Sequence, residues 1–228
     1  MPGSTYAHES GGDPQVIPRL SYEQFCRFHR HHYHPSNSTL FVYGDADLED
    51  ELNYLQENFL SAFDQRHQRC DVELGELITE PLMINDKYSV ESADTAEKTF
   101  LAVGTHVGSV SDRVQNGAFQ IIANILYNSD GSPLKNKIVS AGICKDFGGI
   151  YLSSSCFHTI MLTYLVGSEA AHLESFQTIY RQALEEMVTA GLDRDLIISE
   201  LNKYEFGVRE DASKAQRGLD LMSKSFAA

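Results

Sequence analysis

Four imidazoles fall within six residues at His29, His31, His32 and His34. Histidine is a common ligand for zinc and nickel, so metal chemistry is the first possibility this spacing raises. On a helix, however, His29 and His32 share a face while His31 points well away from them. His34 lies beyond the helix end, next to Pro35, and no nearby carboxylate or thiol completes a ligand set. The cluster therefore reads as a histidine-rich surface, open at most to adventitious metal.

The other chemical motifs are fragments. Ser132-Pro133-Leu134-Lys135 matches S-x-x-K, in which a lysine one turn along activates a serine nucleophile. K-T-G and S-D-N are both missing, and a serine before proline at a helix start is a cap. His8-Glu9 has Gly12 where H-E-x-x-H needs its second histidine, and His172-Leu173-Glu174 has no P-C-x-x-C to complete a deaminase site and reads as a helix surface. Gly104, Gly108, Gly117, Gly148 and Gly149 form neither a dinucleotide fingerprint nor a phosphate loop, and Gly148-Gly149 predicts a turn. Glu185, Glu186, Asp193, Asp195 and Glu200 read as charges on solvated helix faces. No catalytic, cofactor-binding or metal residue is assigned.

Composition narrows the classes further. The 228 residues exceed one average domain, and with 42% hydrophobic and 22% charged residues they can bury a core. A formal charge of −14 argues against a nucleic-acid surface, which needs clustered Lys and Arg, and suits basic peptides instead. Cys26, Cys70, Cys144 and Cys156 form no C-x-x-C pair, so a reducing compartment is expected. No apolar run reaches the length of a membrane span and no leader pattern opens the chain. Bacterial cytoplasm and an organelle matrix fit equally.

The elements that would carry these residues follow from caps and periodicity. Ser21 and Gln24 make a capping box for a helix over about 22–33, ended by Pro35, with Tyr22, Phe25, Cys26, Phe28 and His29 toward a core. Residues 39–43 predict a buried strand, and Asp47 caps a helix to about residue 63 that should pack beneath it. Residues 64–82 read as a connector. Strands follow over 88–92 and 99–106, then a helix opened by Ser111 and Asp112 with an apolar face of Val114, Ala118, Ile121, Ile122 and Ile125. A short helix capped by Ser132 precedes an antiparallel hairpin of 150–157 and 159–166. The helix after Gly167-Ser168 ends at Gly191, and Asp193 caps a last long helix with Ile197, Leu201, Tyr204 and Phe206 inward. The pattern is α+β, an antiparallel or mixed sheet packed against helices.

One stretch adds a resemblance. Ser10-Gly11-Gly12-Asp13-Pro14, then Ile17-Pro18, Phe28-His29, Tyr33-His34-Pro35-Ser36-Asn37 and Tyr43-Gly44 closely resembles the presequence protease branch of the pitrilysin/insulinase zinc metallopeptidases. The likeness continues more loosely through Gly131-Ser132-Pro133-Leu134 and residues 191–219. It implies a zinc endopeptidase that degrades unfolded peptides inside a chamber of two bowl-shaped halves. In that family zinc is held by H-x-x-E-H on a helix, and this chain contains no Glu-His dipeptide. The further acidic ligand, and the arginine and tyrosine that assist, lie outside the matching region. The expectation is a non-catalytic piece: residues 1–70 as the end of the catalytic domain with its main sheet missing, 71–86 as a connector, and 87–228 as the second, metal-free domain. The abrupt opening at Met1-Pro2-Gly3-Ser4 fits a piece of a longer polypeptide. Zinc is expected in the full-length protein and no cofactor in this chain. Expected partners are the rest of the polypeptide, unfolded and basic peptides, and a second copy through the exposed strand at 39–43. The other reading is a stand-alone, enzymatically inactive interaction module of the same fold.

Overall fold

The computed structural model describes residues 3–64, 71–129, 131–153, 157–211 and 213–226. They divide into two compact units, Met1–Glu80 with Gly218–Ser223, and Pro81–Arg217 with Lys224–Ala228.

In the first unit, α1 (Tyr22–His32) begins where the sequence places it. Ser21 Oγ accepts the Gln24 N–H at 3.1 Å and Gln24 Oε1 accepts the Ser21 N–H at 2.8 Å, which satisfies two amides that the first helical turn would otherwise leave without a partner. Asp47 Oδ1 does the same for α2 (Leu48–Asn58), accepting from Glu49 and Asp50. The expected core faces do not follow. Neither helix has a buried residue, and Tyr22, Phe25 and Phe28 of α1 and Leu48 and Leu52 of α2 are all exposed. Residues 39–43 pair with no other strand, and Leu40, Phe41, Val42 and Tyr43 are exposed, so the expected buried strand is absent. Periodicity shows which face of a segment is apolar, but burial needs something opposite that face.

The second unit holds the core. Its sheet has the order β1-β3-β2, with β1 (Thr99–Ser109), β2 (Asp146–Leu152) and β3 (His158–Ser168), and both pairings are antiparallel. Alternation along β3 buries Thr159, Met161, Thr163 and Leu165 on one side. That side meets α3 (Arg113–Ala123), a π-helical turn at Asn124–Asn128, α4 (Pro133–Ser140) and α5 (Leu173–Ala190) through Ala123, Leu126, Tyr127, Leu134, Ile138, Phe176 and Ala183. Each fully buried Leu, Ile or Phe contributes roughly 1.5–3 kcal/mol. The α+β architecture is as the sequence predicts. α6 (Arg194–Asp211), capped by Asp193, follows, and a further helix that the sequence reading does not name, α7 (Arg217–Phe226), belongs mostly to the first unit.

Other details differ from expectation. Residues 88–92 form no strand, and β1 runs three residues beyond the expected end at 106. The hairpin strand begins at Asp146 rather than at 150, and residues 154–156, with Cys156, lie outside the described residues. Gly148 and Gly149 are strand residues, not a turn. A Cβ at Gly148 would fall 2.7 Å from the Tyr164 ring, and one at Gly149 would fall 2.4 Å from the Tyr127 ring, so glycine lets two aromatic rings lie against the backbone. Val114 is 85% exposed, and in α6 Leu201, Tyr204 and Phe206 are exposed too. Glu200 is the reverse case: only 4% exposed, it takes a 2.6 Å ion pair from Lys203 one turn on.

Two expectations follow. Gly149→Ala should cost about 1–3 kcal/mol by forcing the Tyr127 ring aside. Gly117→Ala, at a helical position with nothing within 4 Å of the added methyl, should gain about 1 kcal/mol; urea unfolding of the two variants checks both signs. The second concerns Tyr127, whose hydroxyl meets Thr163 Oγ1 at 2.7 Å and whose pKa is pushed up to about 12, first by burial and then by Tyr180, against the Thr163 hydrogen bond. An unfolded tyrosine ionises near 10, so this contribution to stability is whole below pH 10 and is lost as the pH rises toward 12. Tyr127→Phe should lower stability at pH 8 by about 1–3 kcal/mol, because it strands the Thr163 hydroxyl, and should flatten the decline between pH 10 and 12. An equal slope in both proteins would refute the assignment.

Candidate functional site

The histidines of α1 stand beside aromatic rings and do not converge on one point. His29 stacks on Tyr33 with centroids 4.6 Å apart and planes 8° from parallel, and Phe28 lies 4.2 Å from His32. His34 turns away past the helix end, where its Nδ1 accepts the Ser36 N–H at 3.2 Å and its ring meets Phe63 edge-on. Pro35 sets this up by ending the helix and starting a short 3-10 turn that His34 caps. Among the described residues, no group of three or more His, Cys, Asp or Glu side chains is arranged to hold a metal ion.

Ser132 is fully buried. Its Oγ donates to the Leu126 carbonyl and accepts the Lys135 N–H at 3.1 Å, so both of its hydrogen-bonding roles serve the start of α4. Attack on a substrate would require breaking that cap. His8 and Glu9 are exposed, and the Glu9 carboxylate accepts the Gly11 N–H at 3.4 Å within its own turn.

His172 is not the plain surface residue its motif suggests. Its Nδ1 lies 3.1 Å from the Ile143 carbonyl oxygen, to which Ser168 Oγ also donates at 2.6 Å. A carbonyl can only accept, so this geometry calls for the Nδ1–H tautomer. Two side chains from the end of β3 and the start of α5 thus satisfy one carbonyl of the loop after α4. Cys144 follows that carbonyl, and its thiol pKa is raised, first by burial and then by Asp146, which keeps it from being a ready nucleophile. No motif or spacing signals this convergence, because Ile143, Ser168 and His172 meet only in the folded chain.

A groove of about 550 Å³ lies between α5 and β1. Val103, Tyr180, Leu184 and Val188 supply apolar lining, with Arg181 and Glu185 at its polar edge. Val103 is half-buried, although it points to the same side of β1 as the buried Leu101, so the helical layer thins out over this strand. These side chains can receive an apolar group. They include no nucleophile paired with a base.

The model of the peptidase M16 inactive domain matches residues 19–203. Protein HypA of Clostridium perfringens is 33% identical over 92% of this chain, and presequence protease 1, chloroplastic/mitochondrial, of Arabidopsis thaliana is 28% identical over 98% of it. The mitochondrial presequence protease of Mus musculus is 27% identical over 98%. The chain spans 21–22% of the length of these curated relatives. Among solved structures, a protease from Helicobacter pylori shares the fold with a TM-score of 0.65 at 15% identity, over 95% of this chain and 51% of that one. With a family model covering residues 19–203, most of its length, the chain belongs to the peptidase M16 family, in the part described as its inactive domain.

Proposed function

We propose that this chain is a non-catalytic portion of a zinc-dependent metalloendopeptidase, forming wall and packing surface for a chamber in which unfolded peptides are degraded. The observation that carries the reading is the match of the inactive-domain model over residues 19–203 of a chain that contains no H-x-x-E-H. On this reading residues 1–70 are the end of the catalytic domain, 71–86 the connector and 87–228 the second, metal-free domain. Zinc and its ligands then belong to the presumed full-length protein, as do the groups that would activate a water.

The exposed apolar faces of α1 and α2 support the remainder of the same polypeptide as partner. The formal charge of −14 favours basic peptides by long-range attraction, which salt screens. No helix among the described residues is long and apolar enough to cross a membrane. We place the protein in an organelle matrix or in bacterial cytoplasm, the first in keeping with the compartments in the relatives' names.

The test pairs metal analysis with activity on the untagged chain. Inductively coupled plasma mass spectrometry should find no stoichiometric zinc, and a fluorogenic basic peptide should stay intact. One zinc per chain with chelator-sensitive hydrolysis would overturn the reading and return attention to the histidines of α1.

A further inference from the structure

β1 and β3 carry one histidine each near one end of their ladder, and folding brings the two together. The rings of His106 and His158 lie with centroids 5.2 Å apart and planes 74° apart. Both stand on the open side of the sheet. The helices cover the side of β3 that carries Thr159 and Met161, so His158 and Ile160 point the other way, and His106 shares the face of Ile160, its partner across the ladder. The register explains why the rings meet. His106 is opposite Ile160 and Ser109 is opposite His158, so β1 uses one residue more than β3 over this stretch, and the shift falls between His106 and Gly108. Val107, which has no partner in the register, packs against the core, while His106 is exposed and His158 is half-buried. A bulge on an edge strand re-aims side chains, and this one sits between two imidazoles.

We propose that His106 and His158 form a two-imidazole site for a divalent first-row metal ion of the copper, nickel and zinc group. Neutral imidazole suits these ions and binds them through one ring nitrogen. With a bond of about 2 Å to each nitrogen, two imidazoles on one ion set their ring centres about 5 Å apart, and this pair already has that separation. To aim a nitrogen at a shared ion each ring turns about its own χ2, a torsion that is broad in histidine. Phe157 stands edge-on to His158 with centroids 5.2 Å apart and limits how far that ring swings. Solvent reaches the pair through exposed His106 and fills the remaining positions on the ion. Two protein ligands are fewer than the three of a catalytic zinc site or the four of a structural one, so the ion exchanges and a chelator-washed chain carries none. The site is therefore separate from the zinc of the peptidase reaction and does not rest on the function proposed above. His31 and His32 make the contrast: their centroids are 4.7 Å apart, but successive residues of a helix do not face each other. Binding at His106 and His158 ties the edge strand to β3 across the bulge, and an ion that binds only the folded chain stabilises it.

The test titrates the chelator-washed full chain with copper(II), nickel(II) and zinc(II) by isothermal titration calorimetry. Copper(II) should bind tightest of the three. His106→Asn and His158→Asn should each weaken that binding at least about tenfold with circular dichroism unchanged, and the double variant should lose little more than either, because the two rings act as one chelate. A variant carrying both His31→Asn and His32→Asn should keep it. Copper(II) electron paramagnetic resonance should show nitrogen couplings that either single substitution in the sheet reduces. Hydrogen exchange of the unaltered chain needs no substitution, and at residues 105–109 and 158–160 it should slow when nickel(II) is added. Unchanged affinity in a folded His106→Asn or His158→Asn variant would overturn the proposal. So would binding that only the α1 substitutions remove, or exchange at these strands that is the same with and without the ion.

Discussion

Thr163 places a hydroxyl in the middle of β3, the strand paired on both sides, and buries it completely. Left alone, that group would cost about 1–3 kcal/mol. Tyr127 meets the requirement from the π-helical turn after α3, and to do so its ring must lie against the backbone of β2, which Gly149 permits. Three elements are thereby fixed by one hydrogen bond and one missing side chain: the depth of the turn, the height of the sheet and the identity of residue 149. The wider turn has a physical reason here, since it carries Ile125, Leu126 and Tyr127 inward together.

The same logic recurs at the other end of β3. Ser168 and His172 both reach the Ile143 carbonyl, and Glu97 crosses to the same region, where its carboxylate holds Lys145 at 2.8 Å and its N–H donates to the Glu169 carboxylate. The Lys145 ammonium is exposed and its pKa is raised, chiefly by the hydrogen bond it donates to the Glu97 carboxylate, so this pair adds little stability. The buried bonds to Ile143 are the ones that tie the loop down.

How much of this was legible depended on how far each cause reaches along the chain. The caps at Ser21, Asp47, Asp112, Ser132 and Asp193 were readable because each side chain bonds an amide two or three residues away. The α+β class and the hairpin of β2 and β3 were readable from alternation. Gly148-Gly149 was misread because two glycines in a row look like a turn unless the rings of Tyr127 and Tyr164 are known to lie over them. Glu200 and His172 were misread as surface for a related reason: their burial is decided by helices and loops remote in sequence. The resemblance supplied the family from ordered identities in residues 10–44, a region whose tertiary setting the sequence could not give.

That region poses the sharpest physical contrast in the chain. α1 has a well-formed cap and a strongly amphipathic pattern, yet Tyr22, Phe25 and Phe28 are exposed, as are Leu40, Phe41 and Val42 after it. Local bonds can set a helix in place, but an isolated 11-residue helix is marginal in water, and its stability in proteins comes from burying the apolar face. In the second unit the equivalent faces are covered, and Phe176, Leu134, Ile138 and Leu165 are fully buried. The two units thus share a grammar of caps and periods but differ in whether the chain itself supplies the opposing surface. The chain spans about a fifth of the length of its curated relatives, and the function proposed above gives the surface opposite these faces to the rest of a longer polypeptide.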